Sequence, residues 1–332
     1  MHTKGGFKMN IMRRLILLPA VMGLILSTVQ GFADGYPSGP IRLIIPYAPG
    51  GATDNLGRLV AKELASDWST TVVVVNKPGA NGIVGANEVA KSQPDGQTLL
   101  LVVPGHVINP SIYPNSPYDV IRDFAPITEI ATSPWLVVTN KSLPVANLQE
   151  LIALAKSQPG KLSFGSSEPS SRLAGELFKQ VAGVNIVNVP YRGASEVMVD
   201  LLGGRIQVAF TTSLSVGSLY RAGKVRALAV AGKSRLVTMP DVPTAAEAGL
   251  PGYETAAWYG LYAHARTSKD IISKIQKAVA AVLKRKQILD QLNVMGATPL
   301  GTSPEEFSAF TKSEFLKYAK IVKDANIKAG SN

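Results

Sequence analysis

The chain has 332 residues, 34 Lys and Arg against 23 Asp and Glu, and no cysteine. The missing cysteines exclude disulfides, thiolate metal sites and anchoring through a lipidated cysteine. The basic residues are scattered, with no stripe interleaved by aromatics, which argues against a nucleic-acid partner; the formal charge of +11 reads as a solvated surface mildly favouring anionic ligands.

In chain order, Lys4, Lys8, Arg13 and Arg14 precede an apolar run from Leu15 to about Val29, closed by Gly31, Phe32 and Ala33 before Asp34. This is the order of a secretory leader. The run contains Pro19 and is shorter than the roughly 20 residues a membrane anchor needs. Cleavage after Ala33 is therefore predicted, releasing a periplasmic chain that is not a lipoprotein. The released chain exceeds the usual size of one core, so two lobes are expected.

Strands rich in β-branched residues then alternate with amphipathic segments, the pattern of α/β layers. Ile41 to Pro46 predicts a strand, and Leu56, Leu59, Val60 and Leu64 share one face of the helix after it. Strands at Thr71 to Asn76 and Thr98 to Val103, with a helix near Val84 to Ser92, complete a βαβαβ unit. A connection from Asp123 to Asn140 leads to a second unit, whose first helix opens on a capping-box pair, Asn147 and Glu150. Further strands are expected at Leu162 to Gly165, Ile186 to Val189, Gln207 to Phe210 and Val225 to Val230, with helices near Leu173 to Val181, Ser195 to Leu202 and Ser215 to Ala222.

After Met239 the prolines 240, 243 and 251 interrupt regular structure, and Tyr253 to Tyr262 returns as an extended crossing segment. Thr267 with Asp270 opens one helix; Ser303, Pro304 and Glu306 open another. The predicted fold is thus α/β and two-lobed: residues 34–136 with 254–332 as one lobe, 137–253 as the other, and a ligand cleft between them.

Three strand-to-helix turns carry the candidate chemistry. Pro49, Gly50, Gly51, Ala52, Thr53 and Asp54 place glycines at a helix start, where free amides can seat an anion or simply make a tight turn. Gly165, Ser166 and Ser167, and Tyr191, Arg192, Gly193, Ala194 and Ser195, have the same chemistry at the carboxyl ends of other strands, where α/β sheets bind ligands. The same residues suit plain turns.

Catalytic signals are thin. Past the leader only His106 and His264 remain, and Gly79, Gly82 and Gly85 miss the dinucleotide spacing. No cofactor, metal or catalytic residue is predicted. Trp68, Trp135 and Trp258 suit packing as well as ligand contact.

At these turns the sequence closely resembles the Bug receptors, the periplasmic components of tripartite tricarboxylate transporters. The marks are Ile-Ile-Pro-Tyr-Ala-Pro-Gly-Gly-Ala-Thr-Asp at 44–54, Asn-Lys-Pro-Gly-Ala-Asn-Gly at 76–82, Tyr-Asp-Val-Ile-Arg-Asp-Phe-Ala-Pro-Ile at 118–127, Leu-Ala-Gly-Glu-Leu-Phe at 173–178, Val-Pro-Tyr-Arg-Gly at 189–193 and Pro-Asp-Val-Pro-Thr-Ala-Ala-Glu-Ala-Gly-Leu-Pro-Gly-Tyr at 240–253. The resemblance runs from about Tyr36 to Gly330. It implies a Venus-flytrap fold that closes on a small mono- or dicarboxylate and, as a monomer, hands it to inner-membrane permease subunits. A receptor that signals its bound state to a membrane kinase would have the same fold.

The resemblance implies Tyr47, Ala48, Gly50, Gly51, Ala52 and Thr53 as a first jaw, Ser166, Ser167, Tyr191, Arg192 and Gly193 as a second, and His106, in the turn after the third strand, as floor. Two positions depart from the family pattern. Glu168 stands in a shortened serine-glycine turn, and Thr211 replaces a common acid. Glu168 either pairs with Arg172 and turns away from the cleft or faces it and accepts a donor from the ligand.

Overall fold

The computed structural model of the protein describes residues 35–324. The leader expected over residues 1–33 lies outside them. A compact unit begins at Pro37 and carries both the fold and the site.

Its first half is built on β1 (Ile41–Ile45), β2 (Val72–Asn76) and β3 (Thr98–Val102), with β1 parallel to both others. The helix α1 (Ala52–Asp67) follows β1 and buries Leu56, Val60 and Leu64 against the sheet, the expected face. A short 3-10 turn at Ala80–Gly82 leads into α2 (Ile83–Ala90).

Two elements differ from expectation. Gly105–Ile112 is a helix, α3, although it contains Gly105, Asn109 and Pro110. Burial of Val107, Ile108 and Ile112 outweighs weak helix propensity there. The predicted connection from Asp123 to Asn140 is instead a 17-residue strand, β4 (Phe124–Asn140). Pro126 and Pro134 disguise it, and the register shifts just after Pro126.

The second half contains α4 (Leu148–Ser157), β5 (Ser163–Ser166), α5 (Pro169–Ala182), β6 (Val187–Pro190), α6 (Ala194–Leu202), β7 (Val208–Thr212), α7 (Ser213–Arg221) and β8 (Val225–Val230). The Asn147 side chain accepts from the Glu150 amide at 2.9 Å, so the predicted helix start is present. The chain returns through β9 (Ala256–His264) and ends in α8 (Lys269–Leu283), α9 (Lys286–Met295), the two-residue β10 (Thr298–Pro299) and α10 (Pro304–Asp324). Ser268, not Thr267, caps α8 by accepting from the Ile271 amide. Ser303 and Glu306 exchange the expected cap bonds at 2.8 and 3.2 Å.

The strands run β2-β1-β3-β9-β4-β7-β5-β6, with β8 and β10 also on β4. The long strand β4 joins the halves: its first part is antiparallel to β9, and from Trp135 onward it pairs with β7 and β8. At the changeover the Trp135 amide donates to the Thr255 carbonyl, the Ala231 amide to the Trp135 carbonyl and the Thr255 amide to the Ala231 carbonyl, at 3.2, 2.7 and 2.9 Å. One hydrophobic cluster gathers Ile44, Leu100, Phe124, Trp258, Tyr262 and Phe307; another gathers Leu136, Val197, Leu201, Val216, Val230 and Met239. Each large side chain so buried contributes roughly 1.5–3 kcal/mol. The first cluster draws on the start of β4 and the second on its end.

Candidate ligand-binding site

The parallel strands β1, β5 and β6 aim their carboxyl ends at the space between the cores, so the turns into α1, α5 and α6 meet there. They wall a cavity of about 60 Å³. One water needs roughly 10–15 Å³ on this measure, so the space suits only a few waters or a small solute.

Residues from both halves touch across it. A Cβ placed on Gly193 would lie 2.6 Å from the Cβ of Ala48, and one on Gly51 would lie 3.9 Å from that of Ala194. The first distance is below any real carbon contact, so close approach at that point depends on glycine.

Of the residues singled out from sequence, Tyr47, Ala48, Gly51, Ala52, Thr53, Ser167, Glu168, Gly193 and Thr211 line this cavity. Gly50 and Arg192 do not, for parallel reasons. The Gly50 amide donates to the Asp54 carboxylate at 2.9 Å, and the Arg192 amide to Glu196 at 3.1 Å, each acid reaching back four residues. The Arg192 side chain is exposed. Tyr191 turns aside to donate its hydroxyl to Asp200 at 2.7 Å. Ser166 is buried at the end of β5, its carbonyl accepting from the Tyr191 amide at 2.7 Å.

His106 is a correction. It lies inside α3 rather than in a turn, 2 % exposed, packed on Tyr118, Phe124 and Tyr262 with ring centroids 5.3, 4.7 and 5.2 Å away. Neither ring nitrogen has a hydrogen-bond partner. Burial pulls its pKa down to about 3, so the imidazole is a neutral packing group.

Electrostatics at the cavity come mainly from backbone. Among the described residues of its lining there is no Lys, Arg or His. Three helices start there without a side-chain cap: α1 at Gly51, α6 at Gly193 and α7 at Thr212. Their first-turn amides lack intrahelical acceptors and favour negative charge. Two acids also line the space. Burial would raise the Asp54 pKa, but bonds from Arg58, the Gly50 amide and Asn76 at 2.9, 2.9 and 3.0 Å outweigh it and hold the carboxyl below its usual range. Asn76 also donates to the Tyr47 carbonyl at 3.1 Å, so Asp54 holds the whole 47–51 turn in place.

Glu168 is the other acid, and it lines the cavity. Its carboxylate bonds go to its own helix start. The carboxylate caps α5, accepting from the Ser170 amide at 2.8 Å, the Ser170 hydroxyl at 2.6 Å and the Ser171 amide at 2.8 Å. Burial raises its pKa against these bonds. Its remaining accessible surface accords with its place in the cavity wall.

Sequence reasoning did not name several lining residues, including Thr212, Ser215 and Tyr259. The hydroxyls of Thr212 and Tyr259 lie 3.3 Å apart. Small hydroxyl residues after the predicted third strand of the second unit were the available signal for the first two; Tyr259 gave none, because a tyrosine in a crossing strand reads as core.

The family model for the tripartite tricarboxylate transporter family receptor matches residues 56–327. The chain belongs to that receptor family. It is 34% identical over 328 residues to protein BugT of Bordetella pertussis, covering 96% of this chain and 99% of BugT. It superposes on the periplasmic binding protein BugD with a TM-score of 0.84 at 32% identity, over 89% of this receptor and 100% of BugD. The R. palustris protein Rpa4515, solved with adipate, gives a TM-score of 0.86 at 35% identity over 89% and 100% of the two chains. Receptors of this family are periplasmic solute-binding proteins and not enzymes. The two-lobed α/β flytrap expected from sequence is the fold of this chain.

Proposed function

We propose that this receptor binds a small carboxylate in the cavity between its halves and delivers it, as a monomer, to the permease subunits of a tripartite tricarboxylate transporter. The observation that carries the reading is the convergence of three uncapped helix starts on a cavity whose described lining has no cationic side chain. Such a site binds an anion through backbone amides. The adipate in Rpa4515 supports a carboxylate as that anion.

In this reading the turns at 47–53, 166–167 and 191–193 are the jaws, and the lobes are residues 34–136 with 254–332, and 137–253. The chain reaches the periplasm after cleavage behind Ala33. Titration calorimetry with a panel of small mono- and dicarboxylates, neutral sugars and divalent cations tests the binding. The expected result is one carboxylate at a Kd near the micromolar level, about 8 kcal/mol, with a raised Tm. Binding of sugars or cations alone would overturn the reading. Pull-down of the membrane subunits by the liganded receptor, and N-terminal sequencing of periplasmic protein, test delivery and cleavage.

A further inference from the structure

Four helices begin at the cavity wall, and one of them differs. The starts of α1, α6 and α7 have no side-chain cap, whereas α5 is finished by Glu168. Two backbone amides and a hydroxyl, the donors that suit an incoming carboxylate, already hold one that belongs to the protein.

The arrangement is fixed on its other sides. The Ser171 hydroxyl donates to the Glu168 carbonyl at 2.8 Å and accepts from the amides of Ser167 and Glu168 at 3.0 and 3.2 Å, so it is spent on the turn. A Cβ on Gly105 would lie 3.0 Å from Glu168 Oε2 and 3.2 Å from Pro169, so α3 abuts the carboxylate and leaves little room for it to swing away. Oε1 accepts two bonds and Oε2 one, which leaves an acceptor position on Oε2. No Lys, Arg or His among the described lining residues stands by to neutralise a second anion.

We propose that Glu168 sets the ligand class: the receptor selects a small monocarboxylate whose far end carries a hydrogen-bond donor, and rejects a ligand with a carboxylate at both ends. The ligand's carboxylate takes the uncapped helix starts and its donor meets Glu168. This rests on the reading of the cavity as a carboxylate site. A second ligand carboxylate would face a fixed like charge in a partly dry space, which is repulsive.

The test uses matched pairs: succinate against 4-hydroxybutyrate, and adipate against 6-hydroxyhexanoate and 6-aminohexanoate. Calorimetry on the wild type and on Glu168→Gln and Glu168→Ser measures each Kd. Serine retains a good helix cap without the charge, so it serves if the glutamine variant folds poorly. The wild type should prefer the donor-bearing acid of a pair by about tenfold or more, the scale of one charged hydrogen bond. Both variants should lose that preference and bind the diacid more tightly than the wild type does. Equal or tighter binding of diacids by the wild type overturns the proposal and leaves the carboxylate receptor standing. Binding of no carboxylate by any form removes the receptor reading, and this proposal with it.

Discussion

The starts of α1 and α5 border one cavity and are finished in opposite ways. At α1 the cap position is Gly51, the amides are left bare, and the nearby acid Asp54 is turned back onto Gly50, Arg58 and Asn76. At α5 the cap position is itself an acid, whose carboxylate folds over the first-turn amides and lines the cavity. The same backbone geometry therefore offers one seat and withholds another. What a helix start can bind depends on whether the chain has already satisfied it.

The largest expected effect comes from Gly193→Ala, which strikes where the two walls touch. Its φ of −165° is ordinary for alanine, but its Cβ would meet Ala48 at 2.6 Å. Overpacking of that kind costs about 1–3 kcal/mol, so Kd should weaken by roughly 5- to 150-fold. Calorimetry beside a melt of the unliganded protein, which carries the same overlap, checks it; unaltered affinity would mean that the walls need not meet.

Asp54→Asn loosens the bare seat alone. The loss of its charged bonds should lower stability by about 1–3 kcal/mol and weaken binding. Because the folded pKa of Asp54 lies below its unfolded value, its contribution is present above about pH 4 and lost as pH falls through the folded value. The wild type should therefore shed its advantage over the variant in acid melts. An advantage that persists or grows in acid would contradict the assigned bonding.

The start of α3 supplies the control, a helix whose sequence also suggested a ligand contact. His106→Leu should leave Kd unchanged, because the ring is buried outside the cavity lining. The folded pKa near 3 is depressed, so neutral His106 stabilises above about pH 6.5 and that contribution drains away as pH falls. By pH 5 the wild type should have lost roughly 2 kcal/mol that the variant keeps. Chemical denaturation at pH 7 and pH 5 measures the difference. The smallest effect is expected from Arg192→Ala: the side chain is exposed, and Kd should move less than about twofold, the range of surface substitutions.

Much of this architecture was legible in the sequence because local signals agree with global packing. The periodicity of Leu56, Val60 and Leu64, the Asn147 and Ser303 caps, and the glycines before α1 each mean the same thing alone and in the fold. β4 and α3 were not legible, since prolines argue against a strand or helix until tertiary pairing overrides them. Glycines and small hydroxyls marked turns that line the cavity, but no one-dimensional pattern says which way Tyr191 or His106 points. Glu168 was visible as a departure from the family. Its capping role needed Ser170 and Ser171 in three dimensions, because glutamate, unlike aspartate or serine, is not among the usual cap residues.

The route of β9 bears on how the molecule comes to exist at all. Leu101 in β3 pairs with Leu261, and Phe124 with His264, so the first sheet waits for a strand made long after it. The second sheet needs only neighbours between Trp135 and Val230. Sequence-distant pairing slows folding and leaves a sheet margin unpartnered in the meantime. As the polypeptide emerges amino end first, its earliest strands are the last to be completed. That order leaves the margin of β3, rich in leucine, open until β9 has been made.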